Sequence, residues 1–204
     1  MATRLGLRCT CGKVRGTAEV SPDSGNRLVC YCDDCQAFAR FLARDDVMDP
    51  AGGTDIFQMA PAALRITEGA ELLRCVRLSD KGLYRWYTEC CRTPIGNMVG
   101  ARFPFIGVIH AFMDDEGGSR SLDDALGKPL GFILGKFAIG GLPPHAHPKM
   151  PLPLLARCIR LVLGWWITGQ GSPSPFFDAK TRAPRVAPRV LGVPERQALR
   201  GVAT

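Results

Sequence analysis

The first 115 residues alternate between short apolar stretches and turns rich in Gly, Pro and Asp. Apolar runs of about four to eight residues with this punctuation are typical of β-strands. We predict seven strands, at residues 12–20, 27–30, 54–59, 64–67, 72–78, 84–88 and 95–99. Two short helices are predicted at 32–44 and 122–126. The fold class that follows is mainly β.

The pattern changes after about residue 116. A polar, turn-rich loop leads into the stretch IGGLPPHAHPKMPLP, whose prolines exclude a regular helix. A helix is predicted at 154–168, and the proline-interrupted tail after it predicts an extended arm anchored by Phe176 and Phe177. The chain therefore divides into a β domain (1–115), a loop-rich connector packed on it (116–152), and a helix with a basic Pro-rich arm (153–204).

The predicted C-terminal helix is apolar around most of its circumference. Arg157, Arg160, Gly164 and Thr168 fall along one narrow stripe, and nearly all the other positions are apolar. Such a helix must bury most of its surface against the β core, against a second copy or at a membrane interface. Because the polar stripe is narrow and poor in Arg for an interfacial helix, we favour packing on the protein itself or a homodimer.

Composition and charge are those of an ordinary globular protein. Of the 204 residues, 46% are hydrophobic and 22% are charged. No segment looks like a secretory signal, and none reaches the roughly 20 apolar residues of a spanning helix, so we expect a cytoplasmic protein without a transmembrane segment. Residues 156–204 hold eight Lys or Arg against two acidic residues, so most of the net charge of +7 belongs to the arm. The charge of the arm raises nucleic acid or acidic lipid as partners. Because the arm has little aromatic interleaving and no nucleic-acid-binding motif, nucleic acid is not an expected partner.

Seven of the nine cysteines are clustered, which in a reducing compartment indicates metal ligands or catalytic groups more than disulfides. The groups are Cys9/Cys11, Cys30/Cys32/Cys35 and Cys90/Cys91. The C-x-C turn at Cys9 and Cys11 is half of a tetrahedral zinc site, and Cys90 and Cys91 offer the other half. We expect such a site to be structural, because it would tie distant parts of the chain together.

The loop LVCYCDDCQAFAR places Cys30, Cys32 and Cys35 within six positions. Three sulfurs can reach one metal and leave its fourth vertex to water or a substrate thiol, as catalytic zinc sites do. The alternative is a closed site with a fourth protein ligand. The conceivable donors of that ligand are Asp33, Asp34, His145 and His147.

The order of these motifs resembles that of a known family. CTCGKVRG, CYCDDCQAF, GGTDIFQ and CCRTPIGN follow one another over residues 7–100, as in the glutathione-dependent formaldehyde-activating enzyme and centromere protein V family. Members of that family have a mainly β fold described as a β-tent. The resemblance implies a β-tent-like zinc-binding fold, here with a C-terminal helix and an extended arm.

The resemblance also implies ligand sets and a function. Cys9 and Cys11, with the final cysteine pair Cys90 and Cys91, would hold a structural zinc. Cys30, Cys32 and Cys35 would hold a second, catalytic-type zinc. We therefore expect a zinc-dependent carbon–sulfur lyase-like enzyme that acts on a glutathione or other thiol adduct of a small aldehyde. The alternative is a non-catalytic zinc-binding module that mediates a protein partner or dimer contact.

The last motif departs from the family pattern C-x-x-C-G-t-P. Thr88 takes the position of the first family cysteine, Cys91 takes the second, and Arg92 replaces the glycine. Cys90 is then the expected partner of Cys91 from an adjacent position. The C-terminal half is also unlike the minimal family domain, so we predict a divergent member whose substrate need not be formaldehyde.

The sequence surroundings of four further residues predict their roles. Cys75 and Cys158 stand alone in apolar surroundings, which predicts small buried hydrophobes. Arg85 alternates outward between Tyr84 and Trp86, which predicts either a solvated charge or a partner for a glutathione-like anion. His110 lies in the apolar run FIGVIHAF and is expected in the core or at its edge.

Overall fold

The structure, a computed structural model, describes residues 2–114 and 122–200. Within these ranges the chain forms twelve strands and four helices. The strands are β1 (Thr3–Arg8), β2 (Arg15–Val20), β3 (Asn26–Cys30), β4 (Thr54–Met59), β5 (Leu64–Glu68), β6 (Leu73–Arg77), β7 (Tyr84–Thr88), β8 (Pro94–Met98), β9 (Ile106–Ile109), β10 (Met113–Asp114), β11 (Gly131–Ile133) and β12 (Arg189–Val190). The helices are α1 (Asp33–Phe41), α2 (Leu122–Leu126), α3 (Leu152–Ile167) and α4 (Val193–Arg200). The predicted mainly β fold with a C-terminal helix is confirmed.

Two sheets share one core. The smaller sheet has the order β10-β1-β2-β5, and the larger has the order β11-β3-β4-β9-β8-β7-β6-β12. Neighbouring strands are antiparallel except at the two edges of the larger sheet, where β11 pairs with β3 and β12 with β6 in parallel. Buried side chains of both sheets form the largest hydrophobic cluster, with Leu7 and Val20 from the smaller sheet and Trp86 and Val108 from the larger. Burial of this apolar surface holds the sheets together.

All seven predicted strands are present, two of them (Thr54–Met59 and Tyr84–Thr88) with the predicted ends and five with shifted ends, and five further strands were not predicted. Among the missed strands, β9 is buried at every position, so it shows no alternation of polar and apolar residues. The strands β10, β11 and β12 have only two or three residues each, which is too short for a periodicity. The division of the chain into three parts remains a prediction. The connector (116–152) contributes β11 to the larger sheet, and the C-terminal part (153–204) contributes β12.

The predicted extended arm needs one correction, because its end is the helix α4. Pro194 stands in the first turn of that helix, where its missing N–H has no intrahelical partner to lose. Before it the chain also turns back on itself, because the amide of Asp178 donates to the Ala183 carbonyl and Phe177 bridges to Pro184. The predicted anchors, Phe176 and Phe177, are buried, with ring centroids 4.9 Å and 5.8 Å from Trp86.

The C-terminal helix α3 matches the helix predicted at 154–168. Its inner face, with Val162 and Trp165, packs near Ala60 in a small hydrophobic cluster of its own. Leu154 contacts Gly131 on β11, and Arg157 donates to the carbonyl oxygens of Pro22 and Gly25 and to Asn26 Oδ1. None of the helices in the described parts of the chain has the length and apolar character needed to cross a membrane.

The aromatic anchor of the arm yields a stability prediction. Phe176 is fully buried against Trp86, so Phe176→Ala should lower the free energy of unfolding by about 3–5 kcal/mol. Phe137 is 39% exposed, and Phe137→Ala should cost about 1 kcal/mol or less as the matched control. Urea denaturation followed by fluorescence measures both values. Equal losses in the two variants would contradict an anchoring role for Phe176.

Candidate metal centres

Four cysteines from two distant turns meet at one point. Cys9 and Cys11 lie in the turn between β1 and β2, and Cys90 and Cys91 lie in the turn between β7 and β8. Their four sulfurs all lie within 4.8 Å of one another. The Cys9 sulfur is 3.6 Å from that of Cys11 and 3.9 Å from that of Cys90, and the Cys90 and Cys91 sulfurs are 3.8 Å apart. We call this group the four-cysteine cluster.

These distances fit a metal site. The edges of a tetrahedron of four sulfurs around zinc measure about 3.8 Å, which follows from a Zn–S bond of about 2.3 Å. The four cysteines are free thiols with no disulfide among them. The cluster could therefore hold one metal ion, and its sulfur-only donor set suits zinc.

Local hydrogen bonds orient two of the sulfurs. The amide of Val14 donates to Cys9 Sγ at 3.2 Å, and the tight turn that allows this has Gly12 at φ 76°. At Cys91, the hydroxyls of Thr88 and Thr93 lie 3.4 Å and 3.1 Å from the sulfur. Because both hydroxyl oxygens already accept N–H donors, their own hydrogens are available to the sulfur. Thr88 thus contacts the Cys91 sulfur, and in the family pattern described above its position is that of the first cysteine.

The thiols of this cluster differ in acidity. Burial raises the pKa of Cys9, and it raises the pKa of Cys90 to about 12. Burial also opposes ionisation of Cys91, yet the hydrogen bonds from Thr88 and Thr93 lower the pKa of that thiol to about 5. The cluster therefore already favours one thiolate, which is the form of cysteine that binds metal.

Arg92 occupies the left-handed region with φ 53°. Glycine adopts this conformation without strain, whereas other residues do so rarely. Arg92 thus stands in the turn between β7 and β8 at a position that favours glycine.

The remaining three clustered cysteines lie where β3 runs into α1. Cys30 ends β3, Cys32 caps the N-terminus of α1, and Cys35 lies in its first turn. Their sulfurs lie within 4.8 Å of one another, and Cys32 Sγ accepts the amide of Cys35 at 3.3 Å. The positive end of the helix dipole points toward these sulfurs and favours thiolates there. We call this group the three-cysteine cluster.

Arg85 lies beside this cluster, and its burial corrects one of the two positions expected for it from the sequence. A solvated position is wrong, because the residue is only 1% exposed. The strand that carries it, β7, lies inside the larger sheet, and the Arg85 guanidinium packs over the Phe38 ring of α1 at 5.5 Å. It donates to Asn97 Oδ1 at 3.1 Å and lies 3.8 Å from Asp34.

The charge of Arg85 acts on the cysteines. Hydrogen bonds from Cys30 and Cys32 lower the pKa of Cys35 well below its usual value, and the guanidinium of Arg85 adds to the effect. The pKa of Cys30 is raised because its thiol donates hydrogen bonds to Cys32 and Cys35, which stabilise the protonated form, and burial adds to the increase. Three thiolates on a divalent ion leave one negative charge in excess, which one guanidinium balances.

Two buried polar atoms near the three-cysteine cluster have no hydrogen-bond partner, Thr54 Oγ1 and Arg85 Nε. Thr54 is the register partner of Cys30 and lines a narrow crevice with Cys35 and Asn97, which has no room for a water-sized molecule. Buried polar groups are rarely left without partners. Thr54 Oγ1 and the Arg85 Nε–H group can therefore each take part in one further hydrogen bond.

None of the four predicted fourth donors lies in the three-cysteine group among residues 2–114 and 122–200. Asp33 and Asp34 instead pair with Arg200 of α4. His145 faces the Tyr31 hydroxyl at 3.4 Å and the Phe132 ring at 4.5 Å. The described residues thus supply three ligands and no fourth.

The helix α4 limits access to this cluster. It lies against α1, where Arg40 donates to the Leu199 carbonyl oxygen, and Leu199 packs on the hydrophobic cluster that contains Cys30 and Cys35. Cys32 is half-buried, whereas the other two thiols are buried. Cys32 is therefore the most exposed of the three cysteines.

The other singled-out residues are structural. Cys75 is buried as predicted, while Cys158 is half-buried on α3. His110 Nε2 lies 3.3 Å from Arg27 and 3.9 Å from Asp55 at the edge of the core. The supporting roles of Thr88, Thr93, Asn97 and Val14 were not predicted, because hydroxyl, amide and backbone partners carry no sequence signal of their own.

Comparison with known proteins adds a family and little on function. No curated protein matches the chain. A crystal structure of a Rhodobacter sphaeroides protein, a Northeast Structural Genomics target, is 18% identical, covering 61% of this chain and 97% of that one. Its TM-score of 0.39 is too low to support an argument. The resemblance to the glutathione-dependent formaldehyde-activating family remains a prediction. Residues 1–186 match the pattern of the family of unknown function DUF6151, and the chain belongs to that family.

Proposed function

We propose that the protein is a zinc-dependent, carbon–sulfur lyase-like enzyme that makes or breaks a thiol adduct of a small aldehyde. The observation that carries this proposal is the three-cysteine cluster, which lacks a fourth donor among the described residues and lies beside the buried Arg85. The motif order that resembles the glutathione-dependent formaldehyde-activating family supports the same chemistry. Glutathione or another small thiol is the proposed partner.

Cys30, Cys32 and Cys35 would hold the zinc ion that takes part. When bound, this ion would act as a Lewis acid that favours the thiolate of a substrate or polarises an aldehyde carbonyl. The overall reaction forms one carbon–sulfur bond between a thiol and the carbonyl carbon, and the thiol proton ends on the carbonyl oxygen. In the reverse direction the same bond breaks and the proton returns to sulfur.

The chain's own residues prepare this site for negative charge. The N-terminus of α1 and the Arg85 guanidinium both favour anionic sulfur at the cluster. Phe38, Ile133 and Leu199 form apolar walls that keep water away. Asn97 holds the guanidinium in place at 3.1 Å, so the positive charge is fixed before any substrate arrives.

A non-catalytic zinc module that binds a partner is the second candidate. The observation in its favour is α4, which lies across α1 and occupies the Asp33 and Asp34 carboxylates with Arg200. In this alternative the three-cysteine cluster is closed and only stabilises the fold. The two candidates differ in whether a small thiol can exchange onto the second ion.

The two clusters lead to a prediction of metal content. Protein purified from a zinc-supplemented culture should contain two zinc ions per chain, one for each cluster. Cys91→Ser and Cys35→Ser should each reduce the content to one, and Cys91→Ser should lower the thermal midpoint because it breaks the link between the sheets. Cys75→Ala is the control and should keep both ions. Elemental analysis measures the content, and a loss of zinc in the control equal to that in Cys35→Ser would contradict these ligand sets.

The two candidate functions predict different sulfur coordination. X-ray absorption at the zinc edge should give about 3.5 sulfurs per zinc if one ion has four and the other three. Adding glutathione should raise the average to about four if the last position of the second ion exchanges. An average that does not respond to the thiol would exclude the exchangeable site and favour the closed module.

The enzyme proposal predicts faster exchange between glutathione, formaldehyde and their adduct. Exchange NMR should show acceleration by the wild type and a loss of at least about 100-fold in Cys32→Ser, because removal of one ligand disrupts the cluster. Cys75→Ala should retain the wild-type rate. Rates at the uncatalysed background for wild type and both variants would refute the proposed activity with these substrates.

A further inference from the structure

A long segment of the chain lacks acidic residues. From residue 125 to residue 177 there are five Lys or Arg and no Asp or Glu. This quarter of the chain also contains ten of the fourteen exposed large hydrophobic side chains among the described residues. Soluble surfaces usually mix charges of both signs and avoid large apolar patches. The combination therefore needs an explanation.

The apolar side chains are concentrated on one face of α3. They recur every three or four residues and so form a continuous outer stripe along the helix. The stripe consists of Leu152 (78% exposed), Leu155 (40%), Ile159 (51%), Leu163 (50%), Trp166 (67%) and Ile167 (80%). The opposite face is already used, since Val162 and Trp165 are buried against the protein. We call the exposed stripe the outer face of α3.

Cations surround the outer face. Lys149 precedes the helix, Arg160 is exposed in its middle, and Arg102 and Arg182 lie at its C-terminal end. None of these four cations forms an ion pair with a carboxylate in the described parts of the chain. Their charge is therefore available to an anionic surface.

A groove of about 700 Å³ adjoins the C-terminal end of the outer face. Leu163 and Trp166 line it together with Arg102 and Arg182. The groove also contains Asp178, whose carboxylate accepts the amides of Lys180 and Thr181 and is occupied by its own turn. Apolar and aromatic walls with two guanidinium groups suit a phosphate headgroup joined to an acyl chain.

We propose that the outer face of α3 docks on the surface of a bilayer that contains anionic lipids. The helix would lie in the plane of the membrane with its apolar stripe in the interfacial region, and Arg102 and Arg182 would bind lipid phosphates. Trp166 sits at the end of the stripe, where its ring suits the headgroup level. The cations that an interfacial helix needs are supplied by neighbouring loops, which the helix sequence alone does not reveal.

Charge favours lipid over a second copy of this chain. In a symmetric dimer through α3, each copy would present the same surface to the other. Arg160 and its flanking cations would then face like charges, with no acidic residue on either α3 to pair with them. An anionic bilayer removes this repulsion and covers the apolar stripe at the same time.

Vesicle co-sedimentation tests the proposal. The wild type should bind vesicles of phosphatidylcholine and phosphatidylglycerol at least about tenfold more strongly than vesicles of phosphatidylcholine alone, and high salt should reduce the difference because it screens the charges. Ile159→Glu combined with Leu163→Glu should lower binding at least about tenfold, since both side chains lie in the outer face. Arg102→Ala combined with Arg182→Ala should remove most of the preference for the anionic lipid.

Val193→Glu is the matched control. Val193 is 58% exposed on α4, and an acidic residue in a first helical turn is well tolerated, so this variant should bind like the wild type. Trp166 is the exposed one of the three tryptophans, Trp86 and Trp165 being buried. Its fluorescence should therefore shift to the blue on binding, and Trp166→Phe should lose the shift.

Two outcomes would overturn the proposal. One is equal vesicle binding by the wild type and the Ile159→Glu/Leu163→Glu variant, both with native circular dichroism spectra. The other is a dimer in light scattering that this variant dissociates, with no vesicle binding by the wild type. Because these residues lie outside both cysteine clusters, the experiment is independent of zinc content and of aldehyde chemistry.

Discussion

The two sheets share one apolar core, and four sulfurs that meet between two turns join them at one further point. Cys9 and Cys11 belong to the smaller sheet, and Cys90 and Cys91 belong to the larger one. Without a bound ion, four thiols this close would gain little from one another. A shared metal ion would convert them into a cross-link between segments about 80 residues apart in the chain. The sheets could then keep a fixed angle around one core.

The three-cysteine cluster is formed partly by local sequence and partly by the packing of α1 on the larger sheet. The junction of β3 and α1 sets the spacing of its three sulfurs, so that part is local. Arg85 and Asn97 come from β7 and β8, which are separated from β3 by β4 and β9, and they reach the cluster because α1 packs over these strands. A positive charge is thus buried beside thiols that favour one thiolate. This is an arrangement that binding or catalysis at sulfur can use, and packing alone does not require it.

The C-terminal segments surround the core in three ways. Phe176 and Phe177 enter it, α4 covers the first turn of α1, and α3 leaves one apolar face uncovered. The first two contacts explain how a proline-rich arm with few regular elements stays in place, since aromatic burial and ion pairs hold it at separate points. The third is a cost in exposed apolar surface that a single copy of the chain does not offset.

The sequence by itself determined the mainly β class, the long helix and the grouping of seven cysteines, because strand punctuation, helical period and ligand spacing are local properties. It did not determine the fully buried β9 or the helix α4, where alternation is absent and proline is misleading. Nor did it reveal that Arg85 is buried, that Thr88 and Thr93 serve Cys91, or that unpaired cations border α3. Those facts depend on which strands become neighbours, and only the packing of two sheets around one core decides that.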